Sequence, residues 1–354
     1  MPTKPINNFQ WPKIITMITR ITAFAGVLTL AAALPLEQSW QLVPHTDGHL
    51  HLVNINPYNL PDPDPSVPER RFVPESDMLF LLFTRSNPTD AQFLEIGNPL
   101  SIASSNFDPA RPTRFLIHGW GGSGTGGTNS RMRNSLLAAG DFNVIAVDWS
   151  VGGGSSNYVS ARNEVGPAGT GVGLMIDDLI AYGGVDVNDI YVIGFSLGGH
   201  VAGNAGKRHG GRINTIMALD PAGPLFSAGQ ADAVSPEDGQ YVETIMTNAG
   251  LLGNSVPLGQ ANFYPNGGRT QPGCGIDVSW NCAHSRAPLF YGESVGTSVP
   301  FRSTRCSSLD EVLEGTCTPS GANANMGGEP SNQGRGVSGI YFLTTNEEAP
   351  FAQG

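Results

Sequence analysis

The stretch Ile190–Gly203, IYVIGFSLGGHVAG, joins an apolar run to a Gly-x-Ser-x-Gly motif and a small-residue segment. The β-branched run predicts a buried strand, and the cationic residues at 207–209 suit the end of a following helix. Ser196 is therefore expected at a tight strand-to-helix turn, which needs small neighbours such as Gly194 and Gly198. The chain holds 46 glycines, so this motif alone does not establish a nucleophile.

Two further residues complete a predicted catalytic triad. Asp220 ends the apolar run INTIMALD, so its carboxylate should emerge at the sheet edge that bears Ser196. His284 follows in the loop NCAHSRAP, which gives the order Ser, Asp, His found in α/β-hydrolases. We expect Ser196 to attack an ester carbonyl, His284 to accept its proton, and Asp220 to hold the imidazole tautomer.

A second apolar run, RFLIHGW, ends at Trp120. The backbone amide of Trp120 and that of Leu197 are predicted to form a two-donor oxyanion hole. His118, in the same run, is expected to orient its neighbours by hydrogen bonding rather than to act as a base. His200, one helical turn beyond Ser196, is expected to be a packed histidine with its hydrogen bonds satisfied.

Six short apolar runs separated by helical segments predict an α/β fold. Near-continuous apolar strands joined by helices are typical of a mostly parallel sheet with helices on both faces. The predicted strands lie in 78–84, 114–119, 143–149, 190–195, 213–220 and 241–247, and the predicted helices in Ser130–Ala139, Gly173–Ala181 and Leu197–His209.

Composition excludes some classes of protein. The chain of 354 residues is 40% hydrophobic, which suffices for a large core. It carries 19 basic and 30 acidic residues, a net charge of −11, so we expect no nucleic-acid partner.

The N-terminal region is predicted to direct secretion. Lys13 and Arg20 precede an apolar run of about 14 residues, too short to span a bilayer, and small residues follow. Residues 1–33 are therefore interpreted as a cleaved signal peptide, with an uncleaved anchor as the alternative. Residues 34–75 are rich in proline and are predicted to be an irregular surface segment ahead of a catalytic domain at 76–354. Its histidines, His45, His49 and His51, are expected to be solvated rather than to hold a metal.

Four cysteines lie in the last quarter of the chain, and four allow three disulfide connectivities. Pairing of near neighbours is favoured in an oxidising compartment, which predicts Cys274–Cys282 and Cys306–Cys317. Zinc binding is disfavoured because neither pair has the C-x-x-C spacing of zinc sites.

Several motifs together resemble the pancreatic-lipase family of secreted neutral lipases and phospholipases A1, most closely its insect members. The resemblance runs from Met78 to the end and implies an α/β-hydrolase that cleaves lipid esters at a lipid–water interface, with Ser196, Asp220 and His284 as triad and Trp120 and Leu197 at the oxyanion hole. The motifs are TRFLIHGW, VDWS, GFSLGGH, LDPAGPLF, NFYPNGG, QPGCG and CAHSRA.

Two departures from that family bear on partners and cofactors. It ends at TTNEEAPFAQG without the C-terminal β-sandwich that helps larger members bind colipase, so we expect a catalytic domain alone and no colipase partner. In the family's calcium loop Asp238 is kept, but Ser235 stands where another acid is usual. We therefore expect calcium to be dispensable and no cofactor to be needed.

The resemblance makes the segment between Cys274 and Cys282 the lid, and here it holds only seven residues, GIDVSWN. Short lids in the family accompany phospholipases A1 or lipases of broad specificity, so the sn-1 ester of phospholipids and acylglycerols are the expected substrates. Trp280 is expected either to rest in a lipid interface or to pack against the adjacent loop. The alternative function is a catalytically weak lipid-binding or yolk-storage protein, which the intact triad disfavours.

Overall fold

The computed structural model describes residues 40–45, 50–54 and 71–354. Residues 41–354 form one compact unit, and of the preceding unit, 1–40, only Trp40 is described. The predicted signal peptide and His49 lie outside the described residues. None of the described helices combines the length and the hydropathy that a transmembrane span requires.

The strands, numbered along the chain, are β1 Trp40–Pro44, β2 Leu50–Asn54, β3 Leu79–Phe83, β4 Gln92–Leu94, β5 Thr113–Ile117, β6 Asn143–Asp148, β7 Ile190–Phe195, β8 Thr215–Leu219, β9 Tyr241–Ile245, β10 Ala261–Pro265, β11 Arg302–Cys306, β12 Ala324–Asn325 and β13 Gly339–Leu343. The helices are α1 Pro74–Asp77, α2 Pro99–Ala103, α3 Gly127–Ala139, α4 Ser150–Gly153, α5 Tyr158–Asn163, α6 Val165–Ala181, α7 Leu197–Arg208, α8 Asn281–His284, α9 Arg286–Gly296 and α10 Leu309–Leu313.

An eleven-stranded sheet, counted over the described residues, has the order β12-β11-β13-β10-β9-β8-β7-β5-β6-β3-β4. The seven strands from β13 to β6 in that order run parallel to one another. The strands on either side, β3 with β4 and β11 with β12, run antiparallel to their neighbours. The mostly parallel α/β-hydrolase sheet expected from the sequence is thus confirmed.

Alternate residues along each buried strand fill two separate cores. In β5, Phe115 and Ile117 belong to the core covered by α6 and α7, whereas Leu116 belongs to the core covered by α3 and α9. This division follows from the two-residue period of a strand. Every residue of β5, β7, β8, β9 and β10 is buried, which explains why these strands lack a polar face.

All six predicted strand runs became strands (β3 and β5 to β9), and the three predicted helices are α3, α6 and α7. The largest boundary difference is in α6, which begins at Val165, eight residues before the predicted start. Its first half is rich in glycine because it packs closely on α7: a side chain at Gly169 or Gly173 would overlap Asn204 or Arg208. Tertiary packing therefore outweighs the low helix propensity of glycine.

The interpretation of residues 34–75 as irregular needs correction in its described part. β1 and β2 pair as a two-stranded sheet, and residues 74–77 form α1. Val43 and Val53 are buried and belong to the core covered by α6 and α7. The hairpin is thus packed on the domain through the apolar residues of its inner face. The proline-rich stretch, 57–68, lies outside the described residues.

Candidate active site

Ser196 lies at the predicted turn between β7 and α7. Its backbone has φ 57° and ψ −123°, which is strained for a residue with a side chain. A Cβ on Gly194 would overlap the Gly198 carbonyl, and a Cβ on Gly198 would lie 2.5 Å from the Ile117 carbonyl oxygen. Both glycines are therefore required sterically, because strand, turn and helix approach too closely for larger residues.

Asp220 and His284 meet although 64 residues separate them. His284 Nδ1 donates to Asp220 Oδ2 at 2.5 Å, and both side chains are buried. The other carboxylate oxygen of Asp220 accepts the amides of Thr247 at 2.8 Å and Asn248 at 3.0 Å. With its oxygens satisfied in this way, the carboxylate fixes His284 as the tautomer protonated at Nδ1 and leaves Nε2 to act as an acceptor.

Ser196 and His284 line the same cavity, whose volume is about 190 Å³. Most of the remaining lining is apolar or aromatic, as is usual for sites that take hydrocarbon groups. The other residues that line it are Val43, His45, Trp120, Thr128, Tyr158, Phe195, Ala222, Pro224, Leu252, Asn281 and Ser285.

The two predicted oxyanion donors lie beside Ser196. Leu197 begins α7, where backbone amides have no acceptor within the helix. The segment before Trp120 touches the nucleophile turn: a Cβ on Gly119 would lie 2.7 Å from Ser196 Cβ. Among the described residues, no protein acceptor takes the amide of Trp120 or of Leu197. Both amides are therefore available to an oxygen bound near Ser196.

Three other titratable side chains near the cavity, those of His118, His200 and Tyr158, interact with neighbouring groups of the protein. His118 Nδ1 donates to the Gly119 carbonyl at 2.8 Å, and its Nε2 accepts the Trp149 amide, as expected of an orienting residue. His200 is fully buried, its Nε2 donates to the Ala222 carbonyl at 2.8 Å and its Nδ1 accepts the Val234 amide at 3.0 Å, so the expected packed histidine with satisfied hydrogen bonds is confirmed. Burial lowers its pKa to about 4. Burial also raises the pKa of Tyr158 above its usual range, so its phenol stays protonated.

Both predicted disulfides, Cys274–Cys282 and Cys306–Cys317, are present. In the loop closed by the first, Trp280 has φ 60° and packs against the core beside α8, which carries His284. The exposed apolar side chains of this loop are instead Ile276 and Val278, at 94% and 74%. Trp280 is thus partly buried against the core, which favours packing over exposure at a lipid interface.

The residues of the expected calcium loop do not fit a calcium ion. Asp238 is 2% exposed and accepts a 2.6 Å bond from the Lys207 ammonium, which also bonds the Ala233 carbonyl at 2.7 Å. The amide and hydroxyl of Ser235 donate to the same carboxylate, each at 2.8 Å. A calcium ion needs six to eight oxygen ligands, whereas here a cationic side chain already neutralises the buried acid.

We therefore expect the melting temperature and the ester-hydrolysis rate to be the same in excess chelator and in millimolar calcium. By contrast, Lys207→Met should lower the free energy of unfolding by about 3 kcal/mol, because it leaves the Asp238 charge buried and unpaired. Denaturant unfolding of both proteins, with and without chelator, measures the two effects. Loss of stability or activity in the wild type on chelation, restored by calcium, would contradict this account of the loop.

Sequence inspection missed one part of the site, the hairpin of β1 and β2. Val43 and His45 line the cavity, and the rings of His45 and His51 pack edge-to-face on Trp120 at centroid distances of 4.7 and 5.4 Å. The expectation that these two histidines are solvated is therefore wrong. The alternating pattern of WQLVP and LHLVN around Asp47-Gly48 is the hairpin pattern that could have located them.

Residues 61–351 match the family model described as Lipase. The chain is 33% identical over 302 residues to pancreatic triacylglycerol lipase from Mus musculus, covering 77% of this chain and 64% of that protein. It is 33% identical over 303 residues to pancreatic lipase-related protein 2 from Homo sapiens, covering 78% and 64%. It is 36% identical over 245 residues to phospholipase A1 member A from Bos taurus, covering 67% and 53%. The chain thus matches a little under two thirds of the length of the pancreatic relatives.

Proposed function

The chain belongs to the Lipase family, and from that premise we propose that it is a secreted serine hydrolase that cleaves carboxylic esters of lipids. One observation carries the proposal: the Asp220–His284 pair and the strained Ser196 turn meet at a cavity with an apolar lining. A charged acid beside a histidine in such surroundings is the arrangement that activates a serine hydroxyl.

In the proposed mechanism, Ser196 Oγ attacks the ester carbonyl while His284 Nε2 takes the hydroxyl proton. Asp220 holds the Nδ1–H bond and stabilises the imidazolium that forms. The amides of Leu197 and Trp120 donate to the tetrahedral oxyanion, and His284 then protonates the departing alcohol. Water, deprotonated by His284, attacks the acyl-enzyme, and His284 then returns that proton to Ser196 Oγ as the bond to the acyl group breaks and the carboxylic acid leaves.

We propose the sn-1 ester of phospholipids and the esters of acylglycerols as substrates. The relatives named above are called triacylglycerol lipase and phospholipase A1, and the short Cys274–Cys282 loop favours the second type. Secretion is supported by the apolar run near the N-terminus and by the two disulfides, which persist in oxidising compartments.

A fluorophosphonate ester tests the proposal directly. We expect the reagent to phosphonylate Ser196 with loss of fluoride, and peptide mass spectrometry to find one adduct, on the peptide that contains this residue. Hydrolysis of a phospholipid with distinguishable acyl chains should release the sn-1 fatty acid and leave the 2-acyl lysophospholipid. An unlabelled Ser196, in protein whose melting curve shows it to be folded, would overturn the proposed function.

We expect no jump in rate when the substrate passes its solubility limit. The disulfide restricts the motion of the seven-residue loop, and Trp280 anchors it to the core, so the loop cannot cover and then uncover Ser196. Rates for a short-chain ester, measured at concentrations on both sides of that limit, check this prediction. A sharp rise above the limit would show a working lid and favour triacylglycerol as the substrate.

A further inference from the structure

The hairpin of β1 and β2 is attached on two sides of the cavity. On one side, Gln41 Nε2 donates to the Leu251 carbonyl at 2.5 Å, next to a residue of the cavity lining, Leu252. On the other side, the rings of His45 and His51 pack on Trp120, and β2 packs on α5. The hairpin therefore spans from the loop after β9 to the segment that carries the proposed oxyanion donor.

The two faces of the hairpin differ in environment. Val43 and Val53 are each 6% exposed and point into the domain, whereas Leu42 and Leu52 on the opposite face are 47% and 61% exposed. This alternation is the one that a strand with a single buried face produces. Val43 and Leu42 are therefore neighbouring apolar residues of β1, of which the first is buried and the second is exposed.

The inner face of the hairpin belongs to the substrate cavity. Val43 lines it together with Leu252 and Pro224, and Ser196 lies in the same lining. An apolar side chain at this position can contact only hydrocarbon favourably, because polar groups lose their hydrogen bonds to water there. In the proposed reaction the ester carbonyl lies at Ser196, so a hydrocarbon chain of the ester is the part of the substrate that would contact Val43.

We propose that the β1–β2 hairpin is the wall that sets which chain lengths the cavity accepts, with Val43 as the specificity-determining residue. This inference rests on the proposed ester hydrolysis for the place of the scissile bond. Val43 acts by occupying space beside the chain, and His45 and His51 position the hairpin against Trp120. A larger residue at position 43 reduces the space that the cavity leaves for the hydrocarbon chain of the substrate, and a smaller residue increases that space.

The test compares Val43→Phe with Leu42→Phe, which adds the same bulk on the exposed face. The quantity measured is kcat/KM for p-nitrophenyl esters from acetate to decanoate. For Val43→Phe, the ratio of the decanoate value to the acetate value should fall by about tenfold or more, the range by which apolar pockets discriminate chain length. For Val43→Ala that ratio should rise, and for Leu42→Phe it should stay within about twofold of the wild type.

An equal loss on every ester in both Val43 variants, or an unchanged ratio, would overturn the inference. Calorimetric binding of straight-chain alcohols from hexanol to decanol makes the same comparison without hydrolysis, and Val43→Phe should weaken decanol binding most. If residue 43 changed the dependence of alcohol binding on chain length but the protein hydrolysed no ester, the proposed function would be contradicted and the role of the hairpin upheld. Binding that does not depend on residue 43 would overturn that role.

Discussion

Ser196→Ala is expected to lower kcat for ester hydrolysis by about 10⁶-fold, because the members of a triad act as a unit. Ser196 is a small buried polar residue that belongs to none of the hydrophobic core clusters, so the melting temperature should change by no more than about 2 °C. His284→Ala should cause a loss of kcat of similar size, since His284 lines the same cavity as Ser196 and is hydrogen-bonded to Asp220.

The matched control for this prediction is Ser104→Ala, an exposed serine at the end of α2 that does not line the cavity. It should keep the wild-type rate within about twofold. Rates are measured on the purified variants with one short-chain and one long-chain ester. Full activity in Ser196→Ala, with the protein folded by circular dichroism, would remove Ser196 from the proposed mechanism.

Asp220→Asn is expected to lower kcat by about 10⁴-fold with little change in KM. The remaining amide oxygen would keep the bonds from the amides of Thr247 and Asn248, so the NH₂ group would face His284 Nδ1. A donor at that place forces the imidazole into the tautomer protonated at Nε2, which cannot accept the proton of Ser196. The loss of rate therefore falls on the chemical step and not on substrate binding. Stopped-flow or steady-state kcat on a soluble ester measures it.

Asp238→Asn is the matched control, since Asp238 is another buried aspartate that follows Asp220 in the chain. Asp238 bonds Lys207 and Ser235 rather than a histidine. We expect this variant to melt at a lower temperature but to keep kcat within a few fold below its transition. If Asp238→Asn lost most of its kcat and Asp220→Asn did not, the acid of the triad would be wrongly assigned.

Much of the central sheet could be predicted from the sequence, because its strands are buried on both faces and appear as continuous apolar runs. β10 and β13 were missed although they extend the parallel sheet. Asn262 in β10 is polar yet buried, because its side chain bonds Thr244 and the amides of the preceding loop. β10 therefore shows no continuous apolar run in the sequence. Only the hydrogen bonds of Asn262 to neighbouring segments explain how a polar residue is accommodated in this buried strand.

The sequence by itself determined six strands of the central sheet (β3 and β5 to β9), the helices α3, α6 and α7, the turn at Ser196 and the identity of the residues around it. These depend on local properties: apolar periodicity, glycines where a side chain would collide, and small or charged residues at helix ends. The pairing of cysteines near one another in the chain was also predictable, since short loops close readily.

Only the tertiary structure decided which distant groups meet. The 2.5 Å contact between His284 and Asp220, the ammonium of Lys207 on Asp238, and the packing of His45 on Trp120 join segments far apart in sequence. No local pattern encodes such contacts, because their geometry depends on how the loops after several strands converge at one edge of the sheet. The hairpin shows this most clearly: the alternation in WQLVP and LHLVN could indicate two paired strands, but only the tertiary structure shows that they pack on the domain and line the cavity.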